Sequence, residues 1–226
     1  MQATLPGLPQ PPTSGGVVLL HGIARTPRSL KVMERALARA GFATLNLGYP
    51  SRRKPLQQLA FDIHPHVERF AAGTDGPVHF VGHSMGGILA RVYLARQRPA
   101  NLGRVVMLGT PNRGSELADL LRRYAAFRAF FGPAGLQLTT QLDATLTALP
   151  AIDYPLGIVA GRRTVDPIAS RFVLPRPSDG RVSVASTKLD GMADHIVMPS
   201  SHPMLVLKTT TIAQTIAFLR HGRFDR

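Results

Sequence analysis

A doubly wound, mostly parallel six-stranded sheet with helices on both faces is the fold class predicted by this α/β sequence of 226 residues. Three observations carry the prediction. Six short runs are apolar almost throughout, as strands buried on both faces must be; strands with one wet face would alternate. Most of these runs are separated by segments whose apolar residues recur at helical spacing. The composition, 44% hydrophobic and 18% charged, suits one sizeable core, and neither an internal repeat nor a linker divides residues 17–226.

In chain order, residues 1–16 are rich in proline and glycine without periodicity and read as a flexible arm. The first strand is the run Val17-Val18-Leu19-Leu20, ending at His21-Gly22. Thr26-Pro27 then opens a helix, with threonine as cap and proline at the first helical position; Leu30, Met33 and Leu37 line its apolar face until Gly41 stops it. A second strand, Ala43 to Leu47, runs into Tyr49-Pro50-Ser51. The helix that starts near Pro55 is expected to bury Leu56, Leu59, Ile63, Val67 and Phe70, and to kink or split at Pro65. Val78, Phe80 and Val81 mark the third strand, and Arg104 to Gly109 the fourth. Residues 112–150 break the alternation with two leucine-rich helical patterns. One runs from Leu117, Leu120, Leu121 and Tyr124 to Phe127, Phe130 and Phe131; the other holds Leu136, Leu138, Leu142, Leu146 and Leu149. The segment falls at the carboxyl edge of the sheet and is expected to form a small helical cap, with Phe127, Phe130 and Phe131 as the apolar wall of a substrate pocket. A fifth strand (156–160), a long loop, a sixth strand (195–198) and a helix from Pro203 to about Arg220 complete the chain.

The chemistry concentrates at Gly82-His83-Ser84-Met85-Gly86, a G-x-S-x-G pattern. With 21 glycines among 226 residues, this pattern is expected by chance about 0.09 times per chain, so five residues alone decide little. The setting decides more. An apolar run precedes the motif, and Ile88, Leu89, Val92 and Tyr93 follow at helical spacing. This is the strand-turn-helix that lifts a nucleophilic serine above a sheet, with glycines letting strand and helix approach.

A serine hydroxyl is a weak nucleophile until an imidazole takes its proton and a carboxylate orients the imidazole. Sites on parallel sheets lie at the carboxyl ends of strands. His202 stands just after the sixth strand, whereas His195 opens it and His221 lies beyond the last helix, so His202 is the expected base. Asp166 and Asp179 both follow the fifth strand; Asp179 is the preferred acid because Gly180 permits a sharp turn that aims its carboxylate back. Asp153 and Asp194 lie at the wrong strand ends. Backbone amides of Met85, after the nucleophile, and of Ile23, in the turn after the first strand, are the expected oxyanion donors. His21 is read as bracing that turn, and His83 as packing or hydrogen bonding under the sheet.

Composition excludes other classes. The absence of cysteine rules out disulfides and thiol chemistry. His64, His66 and His79 lack metal-ligand spacing with carboxylates, so neither metal nor other cofactor is expected. The 27 lysines and arginines against 13 carboxylates are nearly all arginine, a field compatible with anionic substrates or acidic surfaces. Arg52-Arg53-Lys54, Arg122-Arg123 and Arg162-Arg163 are too short and scattered for a nucleic-acid module. No basic region followed by an apolar core stands at the N-terminus and no apolar run is long enough to span a bilayer, which leans slightly toward a cytoplasmic reading and leaves membrane-surface contact and oligomeric state open.

Taken together, HGIART, YPS, VGHSMGG, LGTPNRGS, SDGRVSV and SSHPML resemble the lipase-like branch of the α/β-hydrolase superfamily, similar to triacylglycerol lipases and the GPI-inositol deacylase group. The resemblance covers about residues 17 to 221. It implies a minimal α/β-hydrolase fold and hydrolysis of acyl esters or lipids through an acyl-serine, with Ser84, Asp179 and His202 on the triad positions. Asn112 stands where lipases often carry histidine, and two leading strands of larger members have no counterpart. The same residues would serve an acyltransferase or thioesterase; a non-catalytic binding protein on this scaffold fits less well because every part of the machinery has a candidate.

Overall fold

A computed structural model describes residues 15–141, 144–164 and 174–226. Its six strands form one parallel sheet: β1 (Gly16–Leu20), β2 (Ala43–Leu47), β3 (Val78–His83), β4 (Leu102–Leu108), β5 (Leu156–Gly161) and β6 (Asp194–Met198). They lie in the order β2-β1-β3-β4-β5-β6, each pair parallel. Among the described residues the α-helices are α1 (Lys31–Arg39), α2 (Leu56–Ala72), α3 (Met85–Leu94), α4 (Glu116–Leu121), α5 (Ala125–Leu136), α6 (Ala144–Thr147), α7 (Val184–Thr187) and α8 (Thr209–His221). No described helix is long and apolar enough to cross a membrane.

Period-two alternation sends β1 side chains to two separate cores. Val18 and Leu20 join Phe80, Val105 and the buried faces of α2 and α3 on one side. Val17 and Leu19 join Val81, Val106, α1 and α8 on the other. Both faces are therefore covered, which is why the strands read as continuous apolar runs.

Four local expectations change. The first helix begins with a 3-10 turn, Pro27–Leu30, before α1, and Thr26 makes no side-chain cap bond. Pro65 does not split α2, which runs unbroken from Leu56 to Ala72. The carbonyl that loses its partner to proline belongs to Phe61, which is 65% exposed, so water can replace the missing N–H. The closing helix comes in two pieces, a 3-10 turn His202–Val206 and then α8, because Lys208 between them is extended. Residues 112–150 hold three helices where two patterns were visible, with a non-helical Gly132 inside α5; Leu142 lies outside the described residues. The short α7 had no apolar period to announce it and is set by a local cap, the Ser183 hydroxyl accepting from the Ser186 amide at 3.1 Å.

Phe218 of α8 ties the second core to the sheet. It is fully buried, and its ring lies 2.6 Å from where a Cβ on Gly157 of β5 would stand. Phe218→Ala should therefore lower the unfolding free energy by about 3–5 kcal/mol, read from urea denaturation. A loss below ~1 kcal/mol would mean that this side of the sheet repacks freely.

Candidate active site

Ser84 lies between β3 and α3 at φ 55° and ψ −126°, one of two non-glycine residues with positive φ among those described. Such a conformation is costly for a residue with a Cβ and persists only where its surroundings over-determine it. Here the Ser84 amide donates to the Leu108 carbonyl at 2.8 Å, while its carbonyl accepts from the Gly87 amide at 3.0 Å and the Thr110 hydroxyl at 3.1 Å. A Cβ on Gly86 would stand 2.1 Å from the Leu20 carbonyl oxygen, so only glycine lets α3 start this close to β1. The Ser84 side chain makes no cap bond to α3 and faces a cavity of about 330 Å³.

Asp179 and His202 meet beside it. His202 Nδ1 lies 2.7 Å from Asp179 Oδ2, with both residues buried, and the His202 amide donates to the Asp179 carbonyl at 2.9 Å. The other carboxylate oxygen accepts from the amides of Arg181 at 2.9 Å and Val182 at 2.8 Å. Gly180 takes φ 93° in this turn. A buried carboxylate needs such a full set of donors. Ser84, His202, Ile23, Phe127, Phe130 and Phe131 all line the cavity; Met85 sends its side chain into the core instead.

The remaining candidates lie elsewhere. His195 pairs with the Thr187 hydroxyl at 3.1 Å at the start of β6, and His221 is exposed. Asp153 holds Arg98, and Asp194 holds Arg226 and the Phe224 amide. Asp166 lies outside the described residues. Asn112 donates to the Thr187 carbonyl at 2.8 Å and tethers the chain after β4 to α7. His21 braces its turn: its Nδ1 lies 2.9 Å from the Gly22 carbonyl, and its ring stacks on Tyr49 at 4.1 Å, whose hydroxyl donates to the His21 carbonyl. Among the described residues no cluster of three metal-ligating side chains occurs.

Three charged or titratable residues that line the cavity had no place at the site on sequence grounds. His83 lies beside the cavity with Nε2 3.0 Å from the His202 carbonyl, and Arg25 and Arg181 stand at the rim. Their positions at the ends of β3, β1 and the Asp179 turn were the available signal, since that edge is where parallel sheets place ligands.

The chain belongs to the alpha/beta hydrolase family, whose family model matches residues 17–211. Within that family it is lipase-like. Over 117 residues it is 31% identical to triacylglycerol lipases of Pseudarthrobacter phenanthrenivorans and of Burkholderia plantarii. Each alignment covers 47% of this chain, but only 36% and 32% of those proteins, so the matched part spans about a third of its curated relatives. The mature Bacillus licheniformis lipase BlEst2 shares the fold, with a TM-score of 0.70 at 19% identity over 96% of both chains.

Burial, followed by the neighbouring His202, lowers the His83 pKa from 6.5 to about 3, and its Nδ1 has no hydrogen-bond partner among the described residues. Burial also lowers His21 and His195. Below pH 6.5 the unfolded chain takes up protons that the folded chain refuses, so stability present at neutral pH is lost as the pH falls toward about 3. His83 alone should account for about 2 kcal/mol of lost stability between pH 7 and pH 5. Urea unfolding of His83→Gln should show a pH dependence weaker by that amount, whatever its absolute stability; an unchanged dependence would place the titration elsewhere.

Proposed function

We propose that this chain is a serine hydrolase that cleaves carboxylic esters, including lipid esters, through an acyl-serine intermediate. The observation that carries the reading is the buried Asp179–His202 pair beside a serine held at positive φ, with Ser84 and His202 opening on the same apolar cavity. In this mechanism the Ser84 oxygen attacks the ester carbonyl while His202 Nε2 takes its proton. Asp179 accepts from Nδ1–H, which keeps Nε2 free as the base and stabilises the imidazolium that forms. The tetrahedral oxyanion is received by the amides of Ile23 and of Met85, the first residue of α3. Collapse breaks the bond to the alkoxy oxygen, which leaves with the proton from His202. Water then adds to the acyl-serine by the same route in reverse, releasing the acid.

Residues 112–150 act as the cap over this site, and the phenylalanines of α5 form the acyl wall. Phe127 and Phe131 pack with ring centroids 4.6 Å apart, and Phe131 meets Phe130 edge-on at 4.9 Å, so the wall is one continuous apolar surface. The triacylglycerol lipase relatives and this apolar lining both favour esters of fatty acids.

Labelling with a fluorophosphonate probe tests the nucleophile. The native chain should react, Ser84→Ala should not, and His202→Ala should label far more slowly; labelling that survives in Ser84→Ala would refute the reading. Asp179→Asn should cut kcat by a factor on the order of 10⁴ through the wrong imidazole tautomer. A near-native rate in that variant would remove Asp179 from the site.

Acyl length tests the wall. Across nitrophenyl esters, kcat/KM should rise with each methylene, worth up to ~0.8 kcal/mol, until the cavity fills. Replacing Phe127 and Phe131 together by alanine should flatten that rise. A flat series in the native chain would leave the phenylalanines with packing alone.

A further inference from the structure

Beside the catalytic cavity lies a second groove, of about 390 Å³, lined by Arg25, Arg52 and Arg53 among others. The two hollows adjoin: Ala24, Arg25 and Phe130 line both. Arg181 adds a fourth guanidinium at the rim of the first. No aspartate or glutamate lines either hollow, and none of these four arginines pairs with a carboxylate among the described residues. Arginines used only for solubility are commonly interspersed with carboxylates; four lining two adjoining hollows without any are a different arrangement.

The groove is also fixed in shape. The loops that carry the arginines are joined by the Ala24 amide, which donates to the buried Ser51 hydroxyl at 3.1 Å, and Ala24 itself sits at φ 54°. Arg52 lies with its guanidinium 4.7 Å from the centre of the Phe130 ring and donates to the Phe130 carbonyl at 3.5 Å. Gly132, at φ 61°, presses so closely on the Arg52 carbonyl that a Cβ there would stand 1.7 Å from its oxygen. The apolar wall and the cationic groove are thus locked against each other through Phe130 and Arg52. Arg25 also reaches the catalytic neighbourhood electrically, since its charge is among those that keep His83 neutral.

We propose that this groove is an anion subsite that selects amphiphiles with a negatively charged end, a phosphate or a carboxylate. Resting on the hydrolase reading above, the substrate is then an ester whose acyl chain lies against Phe127 and Phe131 and whose alcohol part carries the charge among Arg25, Arg52 and Arg53. Guanidinium groups present forked donors suited to both anions.

Binding is tested first, without turnover, on Ser84→Ala protein titrated calorimetrically with hexyl phosphate and with hexanol. Hexyl phosphate should bind more tightly by a factor on the order of ten, and added salt should erode the difference, because the arginines are exposed. Adding Arg52→Gln and Arg53→Gln should remove most of the preference. Lysine at both positions should restore much of it, which separates lost charge from a damaged loop. Equal binding of the two ligands, or a preference that survives the glutamines, overturns the subsite.

Turnover is tested on the native chain with hexanoyl esters of glycerol, of glycerol phosphate and of 4-hydroxybutyrate. One or both charged esters should exceed the neutral one in kcat/KM, and which of them does so tells phosphate from carboxylate. The double glutamine variant should lower that ratio. If no ester is cleaved while hexyl phosphate still binds through the arginines, the subsite stands and the hydrolase reading falls. If the neutral ester is cleaved as fast as the charged ones and the ratio ignores the arginines, the hydrolase reading stands and the subsite falls.

Discussion

The backbone of Ser84, held in a conformation that a residue with a Cβ avoids, is the constraint on which the rest of this structure depends. Such a residue costs on the order of 1–3 kcal/mol, so its neighbours must leave it no cheaper alternative. They do so on every side. β3 lies inside the sheet between β1 and β4, and all ten residues of α3 are buried. Neither element can rotate to relieve the turn without exposing apolar surface. The bonds from Ser84 to Leu108 and Thr110 fix it to the end of β4, and the contact of Gly86 with Leu20 fixes it to the end of β1. The doubly wound core thus holds the serine up at the sheet edge.

The same edge collects the other groups because the chain crosses it at the end of every parallel strand. Asp179 arrives on the connection from β5 to β6 and His202 on the 3-10 turn directly after β6. That turn buries Leu205 and Val206 beneath it, so the imidazole is positioned by core packing as well as by its carboxylate. Asp179 in turn keeps its orientation through the amides of Arg181 and Val182. The His83 ring, tilted against the His202 ring at 4.8 Å, completes this polar layer and is kept neutral by its burial.

Much of this was legible in the sequence, and what was not has a common cause. The strands were visible because burial on both faces leaves no polar interruption, and the placing of Ser84, Asp179 and His202 at one sheet edge because topology dictates which strand ends can meet. The 3-10 turns at Pro27 and His202 and the cap that makes α7 are decided by single hydrogen bonds and local backbone angles, which carry no period. Pro65 misled because a rule about helix interiors omits the solvent that can replace a missing donor. The groove beside the site was invisible for another reason. Arg25 and Arg52 are 27 positions apart, and they face one hollow only because Ala24 and Ser51 are bonded across the sheet edge.

Net charge by itself decides little about a site; the arrangement of charge within a cleft decides more. The chain's formal charge of +14 would act on any anion at long range, and salt would screen it beyond about 10 Å. Inside the paired hollows the balance is different in kind. The Asp179 carboxylate is only 1% exposed and turns both oxygens to His202 and backbone amides. Its charge is spent inward, while the exposed residues Arg25, Arg52, Arg53 and Arg181 line the two hollows. An entering molecule therefore meets apolar rings and positive charge together, with the negative partner hidden behind the imidazole. That polarity is a property of the fold, since moving the acid to the rim would both expose the carboxylate and cancel the field that the arginines create.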